Sequence, residues 1–387
     1  MFAKIQINSK YFFYRFNKML ENIFGLDWRS AKCFSILFLA YIWFSNFGNL
    51  FLHKSILGCH SKTFFLVVYM KTILVTHQLP KVAFETIVND YKIIMPDKGL
   101  ISSCMLDRWI GRCDALLPTY AFKVTKEIID RATNLEIIAN FGAGYDNIDV
   151  NYAITKGILV TNSPKPVIEP TAELAFSLLL NVARRISECD RKLRSSRGIE
   201  IDVMENLGIS LYGKTLGIVG MGAIGQALAR RASACGMRII YYNRKRLSQE
   251  IENAYEADWV SLNELLATSD FISLHAPATS ETYHMIDIQQ FNLMKPSVVL
   301  INTARGNLIN ERVLIHFLQK KRIFGAGLDV FENEPEIPSE LLLLDNVLLS
   351  PHNGTGTIDT RVESTRYALQ NIINYFEGKT LLSPVTK

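Results

Sequence analysis

The chain has 387 residues, which suits two domains of ordinary size, and 49% of them are apolar while 20% are charged. This is the balance of a soluble globular protein. The six cysteines are scattered without a C-x-x-C pair. The sequence therefore suggests neither a disulfide framework nor a metal site, and a reducing compartment such as the cytoplasm is expected.

The net charge of +5 is carried by the first part of the chain. Residues 1–69 hold eight Lys and Arg against two acids, whereas residues 70–387 hold 34 basic and 35 acidic side chains. Because the main body is nearly neutral, no nucleic-acid partner is expected for it.

Residues 33–52 form an uncharged, largely apolar stretch that is long enough for a bilayer core of roughly 30 Å. Polar residues within it weaken its apolar character. Residues 1–69 could therefore be a membrane anchor, a poorly ordered hydrophobic tail, or upstream sequence ahead of a start at Met70. The third interpretation is favoured because Met70 opens directly onto a strand pattern. The protein would be tethered to a membrane only if residues 33–52 are translated and inserted into the bilayer.

The main body alternates strand and helix patterns. Residues 70–165 contain five short apolar runs typical of strands, with helical segments such as 125–133 between them. A Pro-rich turn then introduces a long, buried helix over 171–186. Residues 214–352 repeat the strand–helix rhythm, and a last helix is predicted over 360–378. This alternation predicts an α/β fold with parallel sheets.

A glycine-rich turn follows the strand TLGIVG and opens a helix. It has the pattern G-x-G-x-x-G, and its predicted cofactor-binding residues are Gly220, Gly222, Ala223, Ile224 and Gly225. In this context the first glycine permits a tight turn, the second lets the backbone approach a pyrophosphate, and the third lets helix and strand pack closely. The pattern predicts a dinucleotide site.

The end of the next strand indicates which dinucleotide is preferred. An acid there would bind the ribose hydroxyls of NAD, whereas the 2′-phosphate of NADP requires cations. This chain has a neutral residue followed by three cations: Asn243, Arg244, Lys245 and Arg246. We expect NADP to be the preferred cofactor, with NAD as the alternative. A solvated basic turn is the competing interpretation.

Three polar groups follow three later strands of the same segment. Arg305, Glu334 and His352 each lie after an apolar run, where open α/β sheets bind their ligands. Reduction of a 2-keto acid needs a cation for the carboxylate and keto oxygen, and an acid that protonates that oxygen. Arg supplies the first and His the second, and a neighbouring carboxylate orients the His ring.

The motifs around these residues resemble those of the D-isomer-specific 2-hydroxyacid dehydrogenases, in the branch of the glyoxylate and hydroxypyruvate reductases. They are TLGIVGMGAIGQ, INTARG, GAGLDVFENEP and SPHNGTGT, with FGAGYDNID before them and YFEGKTLLSPV after them. The resemblance extends from about Met70 to the end of the chain.

The resemblance implies a role for each matching residue. The family's substrate-binding arginine matches Arg305, and its proton-transferring histidine matches His352. The carboxylate that pairs with this histidine matches Glu334. The loop that holds the substrate carboxylate through backbone N–H groups matches the turn with Ala143 and Gly144. Residues near the nicotinamide match Thr303, Ala304 and Asp329.

The resemblance also implies the fold and the assembly. We expect two doubly wound parallel-sheet domains, with a Rossmann cofactor domain inserted in a flavodoxin-like substrate domain, and a homodimer. The substrate domain would comprise residues 70–166 and 353–387, and the cofactor domain residues 167–352, behind the hydrophobic, basic extension 1–69.

The expected reaction is NAD(P)H-dependent reduction of a small 2-keto acid, such as glyoxylate or hydroxypyruvate, to the D-2-hydroxy acid. One alternative is a formate- or phosphite-oxidising relative, against which the Glu334–Pro335 pair argues. Another is a dinucleotide-sensing scaffold of the co-repressor type, which would bind cofactor with negligible turnover. The complete set of three catalytic groups counts against this alternative, although such scaffolds can retain it.

Overall fold

The computed structural model describes residues 70–195 and 202–385. The apolar stretch 33–52, together with the other residues of the extension 1–69, lies outside this part of the chain. Among the helices of the two described ranges, none combines the length and the apolar composition needed to cross a lipid bilayer.

The first sheet is built from five short strands near the start of the described chain. They are β1 (Thr72–Val75), β2 (Lys92–Ile94), β3 (Ala115–Leu117), β4 (Ile137–Ala139) and β5 (Leu159–Thr161). All pair in parallel in the order β2-β1-β3-β4-β5. The central strands are apolar and buried along their whole length, as expected for a parallel sheet that is covered on both faces. This is the flavodoxin-like strand order.

The second sheet contains seven parallel strands from the later part of the chain. They are β6 (Thr215–Val219), β7 (Arg238–Tyr242), β8 (Ala257–Trp259), β9 (Phe271–Leu274), β10 (Val299–Asn302), β11 (Gly325–Leu328) and β12 (Val347–Leu349). Their order, β12-β11-β10-β9-β6-β7-β8, is that of a Rossmann sheet with one strand added at the edge. The order reverses between β6 and β9, and this is the crevice where such sheets bind ligands.

Twelve α-helices flank the sheets in the described part of the chain. They are α1 (Ser103–Trp109), α2 (Lys126–Arg131), α3 (Val150–Thr155), α4 (Ile168–Ala183), α5 (Ile186–Arg194), α6 (Ala223–Ala234), α7 (Gln249–Tyr255), α8 (Leu262–Thr268), α9 (Ile288–Leu293), α10 (Glu311–Gln319), α11 (Ser339–Leu342) and α12 (Ile358–Phe376). Short 3-10 turns occupy Lys81–Ala83, Ile110–Arg112 and Gly306–Leu308.

Helix α4 begins and ends about three residues before the predicted limits of 171–186. It starts at Ile168 because Pro170 lies in the first turn, where its missing N–H is not needed. It ends at Ala183, and Arg185 then adopts a left-handed conformation with φ of 54°. The backbone therefore changes direction before α5 begins.

The helices cover both sheets. Helices α4 and α6 pack against each other, and α4 also contacts β10 and β11 of the second sheet. Helix α12 returns to the first sheet and packs against β3 and β4. Buried apolar clusters lie on both faces of each sheet. The architecture confirms the predicted fold class of two doubly wound parallel sheets.

Candidate active site

Arg305, Glu334 and His352 follow β10, β11 and β12, which are neighbours in the second sheet. Because parallel strands end at the same edge of a sheet, the loops that carry the three side chains leave the sheet at adjacent positions. Nδ1 of His352 lies 2.7 Å from Oε2 of Glu334. This contact leaves Nε2 as the ring nitrogen available to a substrate.

Glu334 is held in its ionised form. Burial by itself would raise its pKa, but the hydrogen bond to His352 and the charges of His352 and Arg305 lower the pKa below its usual value. Its second oxygen accepts a hydrogen bond of 3.0 Å from the N–H of Phe331. The carboxylate therefore has a fixed orientation and a stable negative charge beside the histidine.

The turn that carries His352 is anchored by Asp329, which is 1% exposed. The carboxylate of Asp329 accepts hydrogen bonds from the N–H groups of Asn353 at 2.6 Å and Gly354 at 2.8 Å. Its backbone carbonyl accepts from His352 N–H at 2.8 Å. These bonds hold His352 in the left-handed region, with φ of 50°, which is uncommon for a residue with a side chain.

Tyr120, in the loop after β3 of the first sheet, packs on the histidine. The two rings are stacked, with centroids 4.5 Å apart and planes inclined by 21°. One face of the His352 ring is therefore covered by an aromatic side chain. Tyr120 itself is 40% exposed, so this part of the site is open to solvent.

Arg305 binds the carboxylate of Asp146, which comes from the first sheet's part of the chain. Its Nε and Nη2 atoms donate to Oδ1 of Asp146 at 3.1 and 2.9 Å. Its Nη1 atom donates to the carbonyl of Ala304 at 2.7 Å. Burial would raise the pKa of Asp146, but the hydrogen bonds and charge of Arg305 lower it below its usual value.

The turn at residues 142–144 lies against Arg305. Gly142 has φ of 133°, which favours glycine, and a Cβ atom on Gly144 would collide with the Arg305 guanidinium group. The carbonyls of Ala143 and Gly144 accept hydrogen bonds from side-chain amides at 2.8 and 2.6 Å. Within the described part of the chain, their N–H groups donate to no acceptor. Two backbone donors and one guanidinium group therefore lie together.

Asp146 and Tyr120 were not singled out from the sequence. Asp146 lies two residues after the glycine turn in FGAGYDNID, and an acid at that position beside an expected arginine was a usable signal. Tyr120 follows a strand end but has no motif that points to a histidine 232 residues later in the chain.

The glycine turn after β6 has the geometry that a dinucleotide site needs. Gly220 has φ of 96°, and a Cβ atom on it would lie 2.6 Å from the backbone nitrogen of Ala276. A Cβ atom on Gly225 would lie 2.7 Å from the carbonyl oxygen of Gly220. A Cβ atom on Gly222 would face open space at the start of α6, which Ala223 and Ile224 begin. Backbone and helix terminus are therefore accessible to a phosphate group.

The nicotinamide end of the predicted site contains a buried polar atom without a partner. Thr303 is 8% exposed, and within the described chain its Oγ1 atom makes no hydrogen bond. The N–H of the adjacent Ala304 donates to the side chain of Asn302 at 3.1 Å. An unsatisfied hydroxyl beside Arg305 is the kind of group that a bound polar ligand would satisfy. The residues present thus fit a nicotinamide dinucleotide.

The four residues of the basic turn after β7 differ in their partners. Asn243 accepts a hydrogen bond from Met221 N–H of the glycine turn at 2.7 Å. Arg244 forms an exposed ion pair of 2.6 Å with Glu281. Lys245 is exposed and extends into solvent.

Arg246, the last cation of that turn, binds a buried carboxylate. Its Nε and Nη2 atoms each donate to Glu252 at 2.8 Å, and the hydroxyl of Tyr241 donates to the same carboxylate at 2.7 Å. Arg246, followed by Tyr241, lowers the pKa of Glu252 to about 2. Because its guanidinium group already binds Glu252 through two N–H groups, Arg246 is less available to a phosphate than Arg244 or Lys245.

Known proteins resemble this chain in sequence. The family model described as "D-isomer specific 2-hydroxyacid dehydrogenase, NAD binding domain" matches residues 176–354. A glyoxylate reductase from Thermococcus litoralis is 44% identical over 317 residues, which cover 79% of this chain and 94% of that protein.

Solved structures resemble it in fold. A glyoxylate reductase from Paecilomyes thermophila has a TM-score of 0.74 and 33% identity over 82% of this chain and 98% of its own. An NADPH-dependent glyoxylate/hydroxypyruvate reductase from Sinorhizobium meliloti, solved with NADP and malonate, has a TM-score of 0.71 and 30% identity, and covers 82% of this chain and 97% of its own. With this sequence identity over most of its length, the chain belongs to the family of D-isomer-specific 2-hydroxyacid dehydrogenases.

Proposed function

We propose that the protein reduces a small 2-keto acid of the glyoxylate and hydroxypyruvate type to the D-2-hydroxy acid with a nicotinamide cofactor. The observation that supports this most directly is the His352–Glu334 pair beside Arg305 at adjacent strand ends. The names of the similar proteins from Thermococcus litoralis and Sinorhizobium meliloti agree with this substrate class.

Arg305 and the glycine turn bind the substrate in this proposal. The guanidinium group attracts both the carboxylate and the keto oxygen, and the N–H groups of Ala143 and Gly144 donate to the carboxylate. As charge develops on the keto oxygen, Arg305 stabilises it more strongly than it does the ground state.

His352 supplies the proton. With Nδ1 bound to Glu334, Nε2 carries the proton that passes to the substrate oxygen. The Glu334 carboxylate orients the ring and stabilises its charged form. The nicotinamide cofactor, when bound, supplies the hydride that completes the reduction. Thr303, Ala304 and Asp329 are the residues that we assign to the nicotinamide end of its site.

We further infer that NADP is preferred. Gly220, Gly222 and Gly225 would hold the pyrophosphate against the start of α6, and Arg244 with Lys245 would bind the 2′-phosphate. The ion pair of Arg244 with Glu281 is exposed, and such pairs are weak enough to exchange for a phosphate.

We assign residues 70–166 and 353–387 to the substrate domain and 167–352 to the cofactor domain, and we infer that the enzyme is a cytoplasmic homodimer. Four apolar side chains between α5 and β6 support the dimer because they are 54–87% exposed: Val203, Met204, Leu207 and Tyr212. Several large, exposed apolar side chains within one short segment are compatible with a protein interface. Sedimentation of the purified protein would test the dimer.

The function is tested by following nicotinamide absorbance with the purified chain. NADPH and NADH would each be combined with glyoxylate, hydroxypyruvate, pyruvate and a branched 2-keto acid. The expected result is turnover of glyoxylate and hydroxypyruvate, with a higher kcat/KM for NADPH than for NADH. Tight dinucleotide binding without turnover of any of the four would contradict the proposal and favour the sensing scaffold.

A further inference from the structure

A cavity of about 490 Å³ lies beside the catalytic histidine, at the carboxyl edge of the first sheet. We call it the distal cavity, and it is lined by residues 77–81 after β1, 119–121 after β3, Phe141 after β4 and Arg361 of α12. Its volume falls in the range of roughly 300–1,000 Å³ that is typical of small-molecule sites.

The distal cavity shares a wall with the reaction centre. Tyr120 lines the cavity and stacks on His352 with a centroid separation of 4.5 Å. Phe141 lines it too, and the next residue begins the glycine turn that faces Arg305. A 2-keto acid held by its carboxylate and its keto oxygen has one more substituent on the keto carbon, and this cavity offers it space. In glyoxylate that substituent is only a hydrogen atom.

The lining of the distal cavity is positively charged. Among the described residues that line it are Lys81 and Arg361, and none of these lining residues is acidic. The third basic side chain, His77, is paired through Nδ1 with the Thr119 hydroxyl at 2.7 Å, and burial lowers its pKa, so the ring is neutral at pH 7. Tyr120 is the remaining titratable group. Two permanent cations thus face a space to which the described lining residues contribute no carboxylate.

Arg361 differs from the other arginines of the site. Those of the reaction centre and of the basic turn each bind a carboxylate, as described above. The guanidinium carbon of Arg361 instead lies 5.6 Å from the ring centroid of Phe141. This contact places the guanidinium group beside the cavity wall, and within the described residues its N–H groups have no acceptor, so they are left for a ligand.

We propose that the distal cavity binds the far end of the substrate, and that Lys81 and Arg361 select a 2-keto acid that carries a second anionic group there. The inference rests on the proposed function, because the proposed function assigns the positions of the first carboxylate and of the keto oxygen. The anionic group is a carboxylate or a phosphate, since a guanidinium group binds both.

The test compares keto acids with and without a second anionic group on the full-length enzyme. Oxaloacetate carries a second carboxylate, phosphohydroxypyruvate a phosphate, and 2-oxobutanoate, with four carbons like oxaloacetate, neither. We expect kcat/KM for one of the two anionic compounds to exceed that for 2-oxobutanoate by about tenfold or more. Equal values for oxaloacetate, phosphohydroxypyruvate and 2-oxobutanoate would overturn the proposal.

Matched variants locate the effect. Arg361→Met and Lys81→Met remove one charge each and keep most of the side-chain length. Each should lower kcat/KM for the preferred anionic substrate by about tenfold more than it lowers kcat/KM for glyoxylate. Lys123→Met, at an exposed lysine outside the cavity, is the control and should change neither. Equal losses with both substrates would overturn the assigned role.

A binding measurement separates this inference from the proposed function. If neither glyoxylate nor any other keto acid is reduced, the proposed function fails, and calorimetry with D-malate and D-2-hydroxybutanoate still tests the cavity. Stronger binding of D-malate, lost in Arg361→Met, would support an anion-selective site. Equal binding of the two compounds would overturn it.

Discussion

The carboxylate of Asp146 binds Nε and Nη2 of Arg305, although the two residues are 159 positions apart in the chain. The carbonyl of Ala304 occupies one N–H of Nη1. A guanidinium group has five N–H donors, so one on each terminal nitrogen is left for a substrate. In the proposed reaction Asp146 is thus a positioning residue, because it orients the group that we assign to binding the keto acid.

Asp146→Asn tests this role. The amide retains one acceptor but loses the charge and the second acceptor, so Arg305 should become less well oriented. We expect kcat/KM for the keto acid to fall by about 10- to 100-fold while the Kd for cofactor stays within about threefold. The control is Asp97→Asn, which changes an exposed acid between β2 and β3 of the first sheet and should leave kcat/KM unchanged. An unchanged kcat/KM in Asp146→Asn would contradict the role.

His352→Gln tests the proton donor. The amide approximates the shape of the ring but cannot transfer a proton, so kcat should fall by about 10² or more. Dinucleotide binding, measured by nicotinamide fluorescence, should be retained. A kcat within a few-fold of the wild-type value would remove His352 from this role. A parallel loss in Glu334→Gln would be expected, because the ring would lose its charged partner.

The basic turn makes separable predictions for its two arginines. Arg244→Met should lower kcat/KM with NADPH by about tenfold or more and leave kcat/KM with NADH nearly unchanged, because only NADPH carries the 2′-phosphate. Glu281→Gln should act in the opposite direction by releasing Arg244. Arg246→Met serves as the comparison and should affect both cofactors alike, because its partner is Glu252. An equal loss with both cofactors in Arg244→Met would rule out its proposed contact.

Glu252 links this turn to acid stability. Its pKa is lowered to about 2 in the folded protein from an ordinary value of 4.5, so folding favours the charged form. The stabilisation is present above pH 4.5 and is lost as pH falls towards 2, because unfolding then takes up a proton. In Glu252→Gln, denaturant titrations should show a weaker loss of stability between these two pH values. If the free energy of unfolding depended on pH equally in the wild type and in Glu252→Gln, this account would be contradicted.

The described residues from Thr72 onward form one compact unit. A protein comprising residues 70–387 is therefore expected to fold and to turn over its substrate at the rate of the full chain. Circular dichroism melting and the nicotinamide assay would measure this. An insoluble or inactive product would show that residues 1–69 are needed.

Most strands of the two sheets and the principal chemical groups were predictable from local sequence, whereas the edge strand β8 was not among the predicted strands. Apolar runs of three to five residues predict buried parallel strands, and the polar residue after each run marks the edge where ligands bind. Arg305, Glu334 and His352 could be selected in this way because each lies only three to six residues after the end of a strand. The glycine turn was equally readable, since its spacing and its place between strand and helix are both local features.

The partners of these groups were decided by the tertiary structure. The pairing of Asp146 with Arg305 and the stacking of Tyr120 on His352 join side chains that follow strands of different sheets. Arg244 and Arg246 are equivalent cations in the sequence, yet one binds an exposed acid and the other a buried one. A short local pattern specifies where a side chain leaves the backbone. Which charge, ring or carboxylate it meets depends on how distant segments pack, and this determines whether a cation is free to bind a ligand.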